Sequence, residues 1–297
     1  MKQAAFTLVA ILALAGTPAF AADMPLKAPP PPAPVDTWTG FYVGGQLGGE
    51  WLSANWSAQC FGGSCPGAPP PPDAEVFAPD GSSPRGINPS SFRGGLYAGF
   101  NWQVQPTWVV GVEADVAWSN GTSSVSGLVG CSVIPQSCVP GHTTTTLGND
   151  STSIQTGTDG SIRGRLGFLA TPTLLLYGTG GVTWEGVSAT ENCGSTLFGA
   201  GGAWCLALRN ETNSTTLTGW TVGGGAEWKF AANWVARVEY RYSDYGNWQT
   251  SFFGNSPATG QPINVDFNSA SIRIRTSVAT VGLSYNFNWA GPLVMKP

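Results

Sequence analysis

Six cysteines offer the most obvious capacity for chemistry in this chain, and they fall in close pairs: Cys60 with Cys65, Cys131 with Cys138, and Cys193 with Cys205. Thiols so spaced can oxidise to local disulfides or, with further ligands, hold a metal. Cys60 and Cys65 have no ligating residue beside them, so short disulfides are the simplest reading. Bridges between the pairs are the alternative, because six cysteines can be joined in many ways. His142, the one histidine, lies in the loop-like run His142-Thr143-Thr144-Thr145-Thr146. A hydrolase embedded in a membrane would need a histidine and a serine fixed together on a strand near the lipid, and this run supplies no such pair. Gly178-Thr179-Gly180-Gly181 has the look of a phosphate-cradling turn, but that turn must open a helix, and Val182-Thr183-Trp184 reads as more strand. No enzyme active site, cofactor or metal centre is therefore expected.

The ends and the composition narrow the class. Lys2, the apolar stretch Ala4 to Ala15, Pro18 and the small-x-small run Ala19-Phe20-Ala21 make residues 1–21 a signal peptide. Residues 22–37 are a Pro-rich spacer, stiff and without core-forming power, placed in the periplasm where it could touch the cell wall. Only 10% of residues are charged, against roughly 25% in soluble domains, too few to cover a water-facing surface of this size. No later apolar run reaches the about 18 residues of a helical span. The net charge of −4 and the lack of a basic stripe exclude nucleic acid as a partner. An all-β protein with an apolar outside is what remains.

Eight segments alternate apolar and polar residues with the period of a two-faced strand: Trp38–Trp51, Phe92–Gln103, Trp108–Trp118, Ile162–Leu169, Leu174–Trp184, Thr218–Phe230, Trp234–Asp244 and Thr276–Phe287. Short turns around Pro106, Thr171-Pro172-Thr173 and Ala231-Ala232-Asn233 alternate with long connections, roughly residues 52–91, 119–161, 185–217 and 245–275. Short turns on one rim and long loops on the other predict an eight-stranded antiparallel up-and-down transmembrane β-barrel over residues 38–287, with long extracellular loops and both termini in the periplasm.

The charges fix which face is which. Arg93, Glu113, Asp115, Arg163, Arg165, Glu227, Lys229, Arg237, Glu239 and Arg241 all take the parity opposite their strand's large apolar residues, such as Phe100, Val112, Leu166, Trp228 and Tyr240. A basic residue on the lipid face costs about 2–4 kcal/mol at the midplane, so the apolar faces point outward and these ten charges inward. A soluble barrel requires the reverse. Enclosed charges must pair, and an eight-stranded barrel is filled by its own side chains, so a paired network and no open pore are expected. On this pattern alone Val112→Arg is severe and Glu113→Gln far milder. Trp38, Trp51, Trp102, Trp108, Trp118, Trp184, Trp228 and Trp234, at strand ends, read as two interfacial girdles. Arg273 and Arg275 break the face rule and are placed above the membrane, beside acidic lipopolysaccharide groups.

With the strands placed, the chain resembles the small outer-membrane β-barrel family of alphaproteobacteria, the outer-membrane immunogenic or porin-like proteins. The likeness rests on Trp38-Thr39-Gly40-Phe41-Tyr42-Val43-Gly44-Gly45, Arg163-Gly164-Arg165-Leu166-Gly167, Leu176-Tyr177-Gly178-Thr179-Gly180-Gly181-Val182, Gly219-Trp220-Thr221-Val222-Gly223-Gly224-Gly225 and Val238-Glu239-Tyr240-Arg241-Tyr242, in that order. The segment Thr280 to Phe287 resembles the terminal signal read by the barrel-assembly machinery, with Gly282, Tyr285 and Phe287 at its key positions; residues 288–297 follow as a tail the common pattern lacks. The resemblance implies a surface-exposed protein of the cell outer membrane; with the cysteine pairs and the arginines read above, the expectation is a structural envelope component and surface antigen in contact with lipid and lipopolysaccharide, displaying disulfide-braced loops. A small porin passing hydrophilic solutes is the alternative.

Overall fold

The computed structural model describes residues 37–61, 76–77, 83–127, 129, 151–193, 209–254 and 267–288. The signal peptide, nearly all of the Pro-rich spacer, the tail past Asn288, His142 and the disulfide candidates lie outside the described residues, Cys60 and Cys193 being described as strand backbone alone. Regular structure among the described residues is all antiparallel strand: β1 (Gly40–Phe61), β2 (Val76–Phe77), β3 (Arg85–Ile87), β4 (Ser90–Gln105), β5 (Trp108–Ser119), β6 (Thr122–Ser126), β7 (Ser151–Thr171), β8 (Leu174–Cys193), β9 (Arg209–Lys229), β10 (Trp234–Phe252) and β11 (Phe267–Asn288). The eight long strands pair in chain order, and β11 returns to β1 along their whole length, from Gly40↔Asn288 to Phe61↔Phe267. Closure leaves no free edge at membrane depth, as lipid demands of any spanning sheet. The expected tight turns are present, at Pro106-Thr107, Pro172-Thr173 and residues 230–233.

Six of the strands run far past their expected ends. β1 continues to Phe61, β8 to Cys193 and β10 to Phe252, while β7 starts at Ser151, β9 at Arg209 and β11 at Phe267; much of what reads as loop is barrel wall. The reason is an exchange of polarity. On β1 the outward residues are Phe41, Val43, Leu47 and Trp51, then Ser53, Asn55 and Ser57; the inward ones are Tyr42, Gln46 and Glu50, then Leu52, Ala54, Trp56 and Ala58. β11 does the same, with Phe287, Leu283 and Val281 outward before Arg275 and Arg273, and with Ile274, Ile272 and Ala270 inward. The alternation never stops, but its sign inverts where hydrocarbon outside gives way to water. Beyond that level the dry side is the interior.

The closed wall also divides at this level. Pairing of β9 with β10 ends at Trp220↔Asp244, and pairing of β5 with β7 at Trp118↔Thr158. Farther out, β10, β11 and β1 with β3 form one sheet and β6 to β9 another. Both contribute to one apolar cluster, in which Trp56, Ile272 and Ile274 meet Ile154, Val187 and Ala189. Side chains bridge the gap between β9 and β10: Asn213 donates to the Ser251 carbonyl at 2.9 Å, and the Phe253 N–H donates to Glu211 at 2.6 Å. Bulges sit near the division, between Thr156 and Asp159 on β7 and between Asp244 and Asn247 on β10, where Gly246 takes a φ of 73°. Such a bulge re-aims the strand; on β7 it moves the inward parity from Thr152, Ile154 and Thr156 to Asp159, Ser161 and Arg163.

Trp51, Trp118 and Trp220 face outward at the outer rim, and Trp102, Trp108, Trp228 and Trp234 at the periplasmic one. Trp184 is half-buried against Gly160, where a Cβ would strike its ring. Trp38 departs from the expected girdle. It is buried with Val109, Leu169, Leu175 and Val235, and its indole N–H donates to the Pro172 carbonyl at 3.0 Å. Residues 37–39, just ahead of β1, bring this ring over the periplasmic mouth, where it packs inward instead of facing lipid.

Candidate functional site

Between the two apolar plugs lies a chamber of ionised side chains supplied by the inward parity of the strands. All ten residues singled out for this face are there, each no more than 6% exposed. Glu113 is the hub of the inner part. Its carboxylate accepts hydrogen bonds from Tyr42 (2.8 Å), Arg163 (2.5 Å), Arg237 (2.6 Å) and, more weakly, Arg165 (3.4 Å). Glu239 accepts from Arg163 at 2.7 Å and from the Tyr177 hydroxyl at 2.8 Å, and Arg165 pairs with Glu227 at 2.8 Å. Guanidinium planes lie over aromatic faces: Arg237 is 3.7 Å from the Tyr97 ring centre and Arg165 is 4.2 Å from that of Tyr177. The rings lie flat along the wall because their in-register partners on the neighbouring strands are glycine, Gly99 on β4 beside Tyr42 and Gly225 on β9 beside Tyr177; a Cβ on Gly99 would collide with Tyr42, and one on Gly225 with Tyr177. Lys229 stands apart at the periplasmic mouth, 4.8 Å over the Trp38 ring, and donates to the Thr37 carbonyl at 3.2 Å.

The outer part is built on Asp115 and Asp159. Arg93 reaches both, at 2.9 and 2.5 Å, and Arg241 reaches them at 2.9 and 3.4 Å, while the Ser161 hydroxyl donates to Asp115. Arg163, 3.4 Å from Asp115, ties the two parts together. Three carboxylates here were not among the expected residues: Glu50, Asp159 and Glu185, all buried. Glu50 lies in the expected first strand at inward parity and was legible. Asp159 and Glu185 fall beyond the expected strand ends, and the β7 bulge hides the parity of the first. Counted with them, and among the described residues, six cations (Arg93, Arg163, Arg165, Lys229, Arg237, Arg241) share the chamber with seven carboxylates (Glu50, Glu113, Asp115, Asp159, Glu185, Glu227, Glu239); Glu191, also buried, lies farther out on β8.

Two further groups lie outside the chamber. Arg273 and Arg275, about half exposed on β11 beyond the outer tryptophans, both hold Asp244, at 2.8 and 3.3 Å. The hydrogen bond from Arg273 keeps the Asp244 carboxyl below the usual carboxylate range. Gly282, Tyr285 and Phe287 line the seam of β11 with β1, opposite Gln46, Val43 and Phe41; Tyr285 packs edge-on against Trp234 and Phe287 with ring centres 5.4 and 5.0 Å apart.

Chemically, the chamber cross-links the wall. Most of its charges pair with one another, and the aromatic faces over Arg165 and Arg237 leave those guanidinium groups packed rather than presented to a solute.

Comparison with known proteins agrees with this architecture. Residues 7–287 match the family described as outer membrane protein beta-barrel domain. The 31 kDa outer-membrane immunogenic protein of Brucella melitensis is 30% identical over 290 residues, covering 94% of this chain and 98% of its own length. The 22 kDa outer membrane protein of Rhizobium leguminosarum bv. viciae is 26% identical, covering 72% of this chain and 68% of that protein. Among solved structures, the outer membrane protein OprG from Pseudomonas aeruginosa aligns over 84% of this chain and 97% of its own with a TM-score of 0.47 and 14% identity. The chain belongs to the outer-membrane β-barrel protein family, and its place is the cell outer membrane.

Proposed function

We propose that this protein is a non-catalytic, non-conducting display barrel, a structural envelope component and surface antigen. The observation that supports the reading is an ion-paired chamber with an apolar cluster at each end, around Trp38 below and around Trp56, Ile272 and Ile154 above. An ion passing two such apolar clusters would have to shed much of its hydration. The outer extension of the wall has a separate use. From Ser53 to Phe61, β1 lifts the loops roughly 20 Å from the outer tryptophans at ordinary strand rise and tilt, a spacing suited to clearing polysaccharide at the cell surface.

The display role is supported by the name of the Brucella relative, an outer-membrane immunogenic protein. Cys60 and Cys193 belong to β1 and β8 at their outer ends, so disulfides from them to Cys65 and Cys205 would brace loops at that rim, as would Cys131 with Cys138. Arg273 and Arg275 are suited to lipopolysaccharide phosphates, and Gly282, Tyr285 and Phe287 to recognition by the assembly machinery. The composition of the Pro-rich spacer, residues 22–37, is suited to a stiff tether in contact with the cell wall.

Conductance tests the reading against the porin alternative. Purified protein in a planar bilayer will show no channel steps; steady steps of uniform size would establish a porin and overturn it. Reduction tests the loops. Dithiothreitol will leave the fast mobility of unheated protein on detergent gels unchanged, because the barrel closes through hydrogen bonds and not through sulfur. Loss of the fast form on reduction would assign the cysteines to the barrel itself.

A further inference from the structure

The outer end of the chamber holds one carboxylate too many. Glu113, Asp115, Asp159, Glu227 and Glu239 each lie within 3.4 Å of a guanidinium, and Glu50 lies 3.8 Å from that of Arg93. Glu185 has no cation within 4.0 Å among the described residues. It is 1% exposed, and its one close polar contact is the Tyr245 hydroxyl at 3.5 Å. Two oxygens there, Glu185 Oε1 and Glu50 Oε2, accept no hydrogen bond although both are buried. Glu50, Asp159 and Glu185 each bring an oxygen within 4.8 Å of those of the other two. Like charges so close, taken out of water and short of counter-charge, repel strongly, and a buried carboxylate in that position must be neutralised.

We propose that Glu50, Asp159 and Glu185 bind a divalent cation of the hard, oxygen-seeking class, Ca²⁺ in the first place. The donor set is oxygen throughout. Ser119 Oγ lies 3.3 Å from Glu50, and the Tyr245 hydroxyl adjoins Glu185; among the described residues no thiol or imidazole joins them to favour zinc or copper. The donors come from separate strands of a stiff wall at irregular spacing, which Ca²⁺ accepts more readily than Mg²⁺ with its strict octahedron. Asp159 is shared, since its oxygens also accept from Arg93 and Arg241. The free coordinating capacity belongs to Glu50 and Glu185. The bound ion would fasten β1, β7 and β8 together at the level where the closed barrel divides into two sheets. The site is independent of what the loops display.

A proton on Glu185 would remove the same charge without metal, and one experiment separates the two. The full mature chain is folded into detergent micelles with CaCl₂, with MgCl₂ or with EDTA, passed through a desalting column, and its metal content read by mass spectrometry. Because all three carboxylates are buried, the ion is supplied during folding and retained. Wild-type protein folded with CaCl₂ will retain about one Ca²⁺ per chain, and the double variant Glu50→Gln/Glu185→Gln about one-tenth of that or less. The temperature at which the fast gel form is lost will rise with CaCl₂ for the wild type and not for the double variant. The single variant Glu185→Gln removes an unpaired buried charge at constant shape, so it folds and serves as the check should the double variant fail; it too will lose most of the Ca²⁺. Wild-type protein that retains neither cation, or variants that retain as much as wild type, would overturn the site and leave a proton on Glu185 as the explanation.

Discussion

Glu113→Gln will destabilise the folded barrel by about 3–5 kcal/mol, the usual cost of removing one partner from a buried ion pair. The alternation of the strand says otherwise. On that pattern Glu113 is one inward charge among ten, and losing it is mild. The structure puts Arg163, Arg165 and Arg237 on this one carboxylate together with the Tyr42 hydroxyl. A carboxamide of the same shape keeps one acceptor oxygen but turns an N–H₂ toward a guanidinium, and it leaves the cations to share Glu227 and Glu239. Urea unfolding in detergent micelles, followed by tryptophan fluorescence and by the fast gel form, measures the loss. A cost below about 1 kcal/mol, the range of solvated pairs, would mean that water reaches the chamber and that the plugs leak.

Val112→Arg will cost about 2–4 kcal/mol, the midplane value for a basic residue facing lipid. Val112 is outward and 61% exposed on β5, midway between Trp108 and Trp118. The informative comparison is Asn55→Arg. Asn55 also faces outward, on β1, but it lies beyond Trp51, where Ser53 and Ser57 have replaced the apolar residues. That substitution will cost less than about 1 kcal/mol, as near-interface positions do. The same urea titration reads both. Equal losses at the two positions would show that the exchange of polarity at Trp51 is not the edge of the hydrocarbon, and the extended outer wall would then need another explanation.

The strand count, the short periplasmic turns and the orientation of the two faces were written in the alternation itself. Residues such as Phe100, Val112 and Leu166 must touch an apolar medium, and Arg93, Glu113 and Arg165 must avoid it; each strand records that locally, whatever its neighbours do. The family motifs, from Trp38–Gly45 to Val238–Tyr242, were equally local. The ends of the strands were not legible, because the signal followed along β1 was an apolar outer face, and beyond Trp51 the same alternation continues with its sign reversed. Trp38 misled for a related reason: a tryptophan at a strand end has one signature whether it faces lipid or folds across the mouth.

What only the tertiary structure decided is who meets whom inside. Period two sends Glu113 inward, but its meeting with Arg237 depends on closing the ring, which sets residues 124 apart in the chain at hydrogen-bond distance. Asp159 and Glu185 join Glu50 only because a bulge on β7 changes parity and β8 runs past Trp184. Facing a medium is a property of one residue and its parity; pairing across a lumen depends on strand number, register and bulges together, and no stretch of sequence short enough to read by pattern contains them all.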